Sequence, residues 1–187
     1  MLCNCSSCSS SDKSTEKIDS SASIPETPSY SYSRPTQEIQ ETIWGVTVGG
    51  TTIESAIATL TRRGCNLEYV GKNQYMAYGI FGFAGIDWDV IAVTTDQDIV
   101  VNLWFSKLYH SKKSFNKSYN ELSEALKSKY DKLPSQELEG VNGFSISDGT
   151  TSVILGGSPV SGGGITLNLI YQTMKKIIRI GYDSNGI

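Results

Sequence analysis

The stretch NLEYVGKNQYMAYGIFGFAGIDWDVIAVTTDQDIVVNLWFS, residues 66–106, constrains the fold more than any other part of the chain. It reads as strands in succession, and the turns between them are too short to carry a helix. Leu67 to Val70 and Tyr75 to Phe83 flank the turn Gly71-Lys72-Asn73. Two further strands meet at Asp96-Gln97-Asp98. Parallel neighbours need a crossover of a dozen or more residues, so strands joined this tightly pair antiparallel. In the last of them Ile99, Val101, Leu103 and Phe105 are expected on one face. Val100, Asn102, Trp104 and Ser106 are expected on the other.

A helix precedes this run. In IWGVTVGGTTIESAIATLTRRG, Ile43 to Val48 reads as one short strand and Gly49-Gly50 as a turn. Thr51-x-x-Glu54 has capping-box spacing, and Ile53, Ala56, Ile57 and Leu60 recur at helical steps before a stop at Gly64. The pattern then repeats. Phe115, Tyr119, Leu122, Leu126 and Tyr130 mark a second amphipathic helix. Its regular part is expected to start at Ser118-x-x-Glu121 and to end by Pro134. A hairpin follows with Asp148-Gly149 at its turn, and GGSPVSGGG (156–164) reads as a mobile hairpin loop. GITLNLIYQ and KKIIRIGYDSN read as two last strands with a turn near Thr173-Met174. One helix and then three or four strands, twice, predicts an α+β fold. The expectation is an antiparallel sheet of about seven or eight strands, built from repeats at 41–108 and 112–187, with both helices on one face.

Residues 1–40 differ in kind. They hold twelve serines and Pro25, Pro28 and Pro35, with almost no large aliphatic residues. Such a segment buries too little apolar surface to offset its ordering entropy, so it reads as a tether to a single domain over 41–187. The net charge is −3 with no basic stripe, which argues against nucleic acid as a partner. No apolar window is long enough to span a bilayer. Met1-Leu2 leaves no room for a complete signal peptide, so the chain is either cytosolic or starts downstream of its true beginning.

Three of the four cysteines, Cys3, Cys5 and Cys8, head this tether. A structural zinc site wants four ligands in pairs, and Cys65 and His110 are far along the chain. A disulfide inside so short a segment closes almost no loop and stabilises little. Cysteines without a role remain open. Lipid attachment is the preferred reading: a cysteine ahead of a polar, serine-rich tether is arranged as an acylated anchor is, with Cys3 the acceptor.

Little in the remaining chain suggests chemistry. His110 reads as a surface loop residue, and Cys65 as a buried thiol behind a helix stop. Asp87 and Asp89 flank Trp88 and share a face. As a pair they are candidates for acid–base work or cation binding, against the plainer expectation of a solvent-facing row with Trp88 turned inward. VGGTTIE places glycines before a helix, where an anion can bind, but lacks the lysine of a nucleotide loop. No cofactor is expected. One helix per half leaves one sheet face open, and aromatic residues there would make a binding surface. Trp104, with Asn102 beside it, leads the candidates, and Tyr75 and Tyr78 join them.

The order of elements behind this tether resembles the small envelope lipoproteins of the BamE/SmpA type and the tandem-repeat fold of the β-lactamase-inhibitor protein. The features that carry the resemblance are Gly49-Gly50 before a helix, the stop at Arg63-Gly64, and the helix with Tyr119, Leu122, Leu126 and Lys129-Tyr130. The resemblance implies a non-enzymatic, lipid-anchored domain of the cell envelope, in the outer membrane of a Gram-negative cell, that binds a protein or cell-surface component. Two alternatives stand beside it: a small hydrolase using Asp87, Asp89 or His110, and a cytosolic interaction module with an inert tail.

Overall fold

The computed structural model describes residues 37–175. The serine-rich segment with Cys3, and the last expected strand beyond Lys175, lie outside the described residues. Within them the fold is α+β. Strands β1 (Thr42–Ile43) and β2 (Val46–Thr47) form a small hairpin, and helix α1 (Ile53–Thr61) follows. Next come β3 (Glu68–Gly71), β4 (Gln74–Phe83), β5 (Ile86–Asp96) and β6 (Ile99–Tyr109). Helix α2 (Lys112–Lys129) leads into β7 (Ser135–Glu137), β8 (Asn142–Ser147), β9 (Thr151–Val160) and β10 (Gly164–Thr173). The eight strands β3–β10 make one antiparallel sheet in the order β3-β4-β5-β6-β10-β9-β8-β7. Each helix is thus followed by a four-stranded meander, and the two meanders join through their last strands, β6 and β10.

Local sequence explains the boundaries. The expected single strand at Ile43–Val48 is instead the β1–β2 hairpin, because Trp44 (φ 55°) and Gly45 (φ 83°) turn the chain back on itself. Helix α1 starts one residue later than the Thr51-x-x-Glu54 pattern suggested. Thr52 is the cap, and its hydroxyl accepts from the Ser55 amide at 3.3 Å. Gly64 stops the helix at φ 80°. Helix α2 also starts earlier than expected, at a Ser111 cap, so Ser118 and Glu121 lie mid-helix. Its last turn carries Lys127 and Lys129, which suit the negative end of the helix dipole. The turns at Lys72-Asn73 and Gln97-Asp98 carry positive φ at both residues, as two-residue hairpin turns require.

The register sets two faces. The row Tyr75–Val93–Leu103–Tyr171–Val153–Ile146 runs across six strands on the helix side. Here α1 packs on β2 and β6, and α2 on β6, β9 and β10. Ala56 and Leu60 from α1 and Phe115, Leu122 and Leu126 from α2 share one buried core with the row from Val93 to Ile146. In β6 the expected alternation fails at one point. Thr94 pairs with Asn102 while its neighbour Thr95 pairs with Val100, so Val101 is an extra residue in a bulge. Val100 therefore turns inward and is fully buried, with Leu103 and Phe105.

The stretch 156–164 is not a loop. Gly156 to Val160 continue β9, Gly164 opens β10, and only residues 161–163 turn. Gly157 stays in the strand because Phe115 of α2 lies against it: a Cβ there would sit 2.3 Å from the Phe115 Cζ.

Candidate functional site

The face opposite the helices is assembled row by row. Its central row crosses every strand of the large sheet. Glu68, Met76, Ala92 and Trp104 lead to Ile170, Ile154, Ser145 and Gln136, each paired with the next. On one side lies the polar row Thr94–Asn102–Gln172–Ser152, and on the other Tyr78–Val90–Ser106–Asn168–Gly156. Glu68, at the sheet edge, is the sole charged residue of these rows. No helix or strand among the described residues lies over this face. Met76, Trp104, Ile170 and Ile154 are half-buried by one another and stay open above. The Trp104 indole is fixed in place, its Nε1 donating to Asn168 Oδ1 at 3.1 Å. Asn168 Nδ2 in turn reaches Thr166 Oγ1 at 3.4 Å.

Three of the four residues expected to bind therefore stand on one face: Trp104 at the centre, Asn102 beside it, and Tyr78 toward the edge with 71% of its surface exposed. Tyr75 does not join them. It pairs with Val93 in the helix-side row, and its ring lies 5.2 Å from that of Tyr69.

The aspartates frame a structural feature. Trp88 is fully buried, and its Nε1 donates to the Phe83 carbonyl at 2.8 Å. Asp89 Oδ2 accepts from the Leu108 amide at 2.8 Å, so its carboxylate completes the β5–β6 edge. Lys107 bridges the pair, donating to the Asp87 carbonyl and standing 3.8 Å from Asp89 Oδ1. His110 is exposed after β6. Cys65 is fully buried, and desolvation pushes its thiol pKa up, which keeps it protonated and weakly nucleophilic. At the VGGTTIE turn several of the amides are already committed to the chain. Gly49 donates to the Val100 carbonyl, Ile53 to the Asp98 carbonyl and Ser55 to Thr52. Among the described residues no group of three His, Cys, Asp or Glu side chains is placed to hold a metal, and no helix is long and apolar enough to cross a membrane.

One concave site was not foreseen. On the helix side a cleft of about 500 Å³ opens between the β1–β2 hairpin, α2 and the end of β4. Trp44, Phe83 and Tyr171 supply its rings, Leu122, Ala125 and Leu126 its helical wall, and Gln40 and Lys129 its polar rim. Burial raises the Tyr171 pKa far above the usual phenol range, with the nearby Tyr130 acting in the same direction, so Tyr171 serves the cleft as a neutral ring.

The fold and these surfaces define an α+β protein with a broad uncharged sheet face on one side and an aromatic cleft on the other. No family model matches the chain, and neither the curated proteins nor the solved structures contain a match to it.

Proposed function

We propose that this chain is a non-catalytic, lipid-tethered protein of the cell envelope whose open sheet face grips a folded protein partner. The observation that carries this is the uncharged central row Met76–Ala92–Trp104–Ile170–Ile154, in which Met76, Trp104, Ile170 and Ile154 stay part-exposed around the buried Ala92, between rows of hydroxyls and amides and with no described element over them. Cores of protein interfaces are depleted in charge and enriched in aromatics and methionine. Tyr, Ser, Asn and Gly around a tryptophan are the mixture that antibody-like binding surfaces use, rigid anchors among adaptable hydrogen-bonding groups. Eight strands about 4.8 Å apart span about 33 Å, and the three rows of same-face residues cover about 14 Å along the strands. The product, about 460 Å², is over half of the roughly 800 Å² that each partner gives to a standard interface.

The test places a photo-crosslinking residue at Ser106, at Ile154, or at Lys113 on α2, in the full chain in its native cell. Ser106 and Ile154 are expected to give the same protein adduct, and Lys113 none. Trp104→Ala, with helix and sheet content unchanged by circular dichroism, is expected to cut that adduct at least tenfold, as loss of a central anchor does. Equal adducts from Lys113, or adducts indifferent to Trp104→Ala, would sink this reading.

The anchor rests on the sequence. A single acyl chain holds a protein to a membrane only marginally, whereas a di- or triacylated cysteine holds firmly. Mass spectrometry of the N-terminal peptide from native cells is expected to find a diacyl or triacyl adduct on Cys3 that Cys3→Ser abolishes. An unmodified Met1 would remove the tether and leave a cytosolic interaction module.

The tandem-repeat reading of 41–108 and 112–187 rests on the order helix-then-meander, met twice, with the last strands of both halves paired. Superposing β4–β6 on β8–β10 decides it: helices that fail to overlay when the strands do would exclude a repeat.

A further inference from the structure

We propose that the cleft on the helix side, across the sheet from Trp104, is a binding site for a flat aromatic acid of one or two rings. Its volume of about 500 Å³ falls in the range of small-molecule sites, about 300–1,000 Å³. Three side chains set its selectivity for rings. The Trp44 and Phe83 rings meet edge to face with centroids 5.9 Å apart, and Phe83 and Tyr171 do the same at 6.4 Å. Such faces and edges favour another ring, offset or edge-on, over an alkyl chain. Ala125, exposed on α2, keeps the mouth wide.

The Trp44 backbone is a second, independent mark. A bulky residue at φ 55° is costly, since hairpin turns of this kind favour Asn or Gly. Strain of this sort persists where the surroundings hold it in place, and it clusters at functional sites. Here Arg63 holds the turn, donating to the Trp44 carbonyl at 3.2 Å with its guanidinium 5.6 Å from the ring centroid. The result is an indole presented as one wall of the cleft.

Charge chooses the acid. Lys129 is the sole ionised residue lining the cleft. On the same helix Lys117 and Lys127 each have a carboxylate within 4 Å, from Glu121 and Glu137. Among the described residues Lys129 has none. Its Nζ meets only Gln40 Oε1 at 3.3 Å and the Tyr130 ring at 5.0 Å. An ammonium at an apolar mouth, with no carboxylate partner among the described residues, suits the carboxylate of a ligand whose rings fill the space below.

The test is calorimetric titration of the full chain with 2-naphthoate, with 2-naphthylmethylamine as the cation on the same rings and decanoate as an acid without rings. The expected result is saturable one-to-one binding of 2-naphthoate and binding of the amine at least tenfold weaker. Lys129→Gln is expected to weaken naphthoate about tenfold, the loss of one favourable charge pair. Ala125→Phe, at an exposed helix position and checked for unchanged circular dichroism, is expected to abolish binding by filling the mouth. No saturable binding at millimolar naphthoate, naphthoate bound equally by Ala125→Phe, or tighter binding of the amine or of decanoate would each overturn the proposal.

Discussion

Gly157→Ala is expected to destabilise the chain by about 3 kcal/mol, the upper end of overpacking penalties, and to do so through one ring. The added Cβ would stand 2.3 Å from Phe115 Cζ and 2.9 Å from its Cε2. A clash with the far end of a side chain is cheap when that side chain swings aside. Phe115 is hemmed on two sides: it is 3% exposed, with the Tyr109 ring 6.1 Å away and the Tyr119 ring 5.8 Å away. Moving the ring into the cleft that it lines with Gly157 and Ile165 would break this stacking, so the strain is shared between the ring and α2, whose first turn Phe115 seats on β9. A double-mutant cycle separates this account from a generic loss of strand flexibility. Phe115→Leu alone should cost about 1–1.5 kcal/mol, and in that background Gly157→Ala should cost under about 1 kcal/mol. Urea unfolding followed by circular dichroism measures both. Additive costs would mean that Phe115 is not what the new methyl meets.

That contact also shows where a sequence stops being legible. Glycines at 156, 157, 162, 163 and 164 with a proline among them carry every local mark of a loop, and residues 161–163 do turn. What makes Gly157 a strand residue is a phenylalanine forty-two positions earlier, and no local pattern encodes that. The same holds for the β6 bulge. Period-two alternation places Val100 with Asn102 and Trp104, and one extra residue at Val101 reverses it. Trp44-Gly45 was hidden for a different reason. A tryptophan at positive φ is rare enough that a β-branched stretch around it reads as one strand. In contrast, β10 and the first half of β9 follow from alternation, β4 and β5 from their length and β-branched and aromatic content, and α1 and α2 from their apolar spacing, because there the local signals and the fold agree.

The open face was readable in outline. Asn102, Trp104 and Ser106 lie beyond the bulge, where alternation holds, so their common face could be inferred from spacing. Which face Tyr75 shares with Trp104 could not, since it depends on the register of β4 against β5. The cleft left no local trace at all. Gln40 and Trp44, Phe83, Leu122 and Tyr171 come from four separated segments, and each alone reads as a core or surface residue. Asp89 drew notice as a catalytic candidate because, with Asp87, it forms a pair of carboxylates on one face of a strand. Its hydrogen bond to the Leu108 amide is a tertiary fact that spacing does not reveal.

Asp148 makes the other large prediction, and it concerns how the segment around Ile39 is tied to the sheet. It stands at the β8–β9 turn where the sequence calls only for a turn former, yet it is 7% exposed and collects four donors. Oδ1 accepts from the Thr150 amide, the Thr150 hydroxyl and the Thr151 amide at 2.8, 2.9 and 2.8 Å, and Oδ2 accepts from the Ile39 amide at 2.8 Å. Ile39, itself 3% exposed, is thereby fastened to the second half of the chain near the start of the described residues. Burial pushes the Asp148 pKa up, but hydrogen bonds from Ile39, Thr151 and Thr150 outweigh it and hold the carboxyl below its ordinary value. The sign follows. With the folded pKa depressed, the stabilisation is complete above the unfolded value of about 4 and is lost as pH falls through the folded one. Asp148→Ala leaves the buried Ile39 and Thr151 amides without an acceptor, at about 1–3 kcal/mol each, so a loss on the order of 3–5 kcal/mol at pH 7 is expected. Asp148→Asn keeps one carbonyl acceptor and should lose less. The difference in unfolding free energy between wild type and Asp148→Asn should be constant from pH 7 down to about 4.5 and shrink below it. A difference that grew on acidification would mean that the carboxyl is held in its protonated form, and the four-donor cage would then not be what holds Ile39 to the sheet.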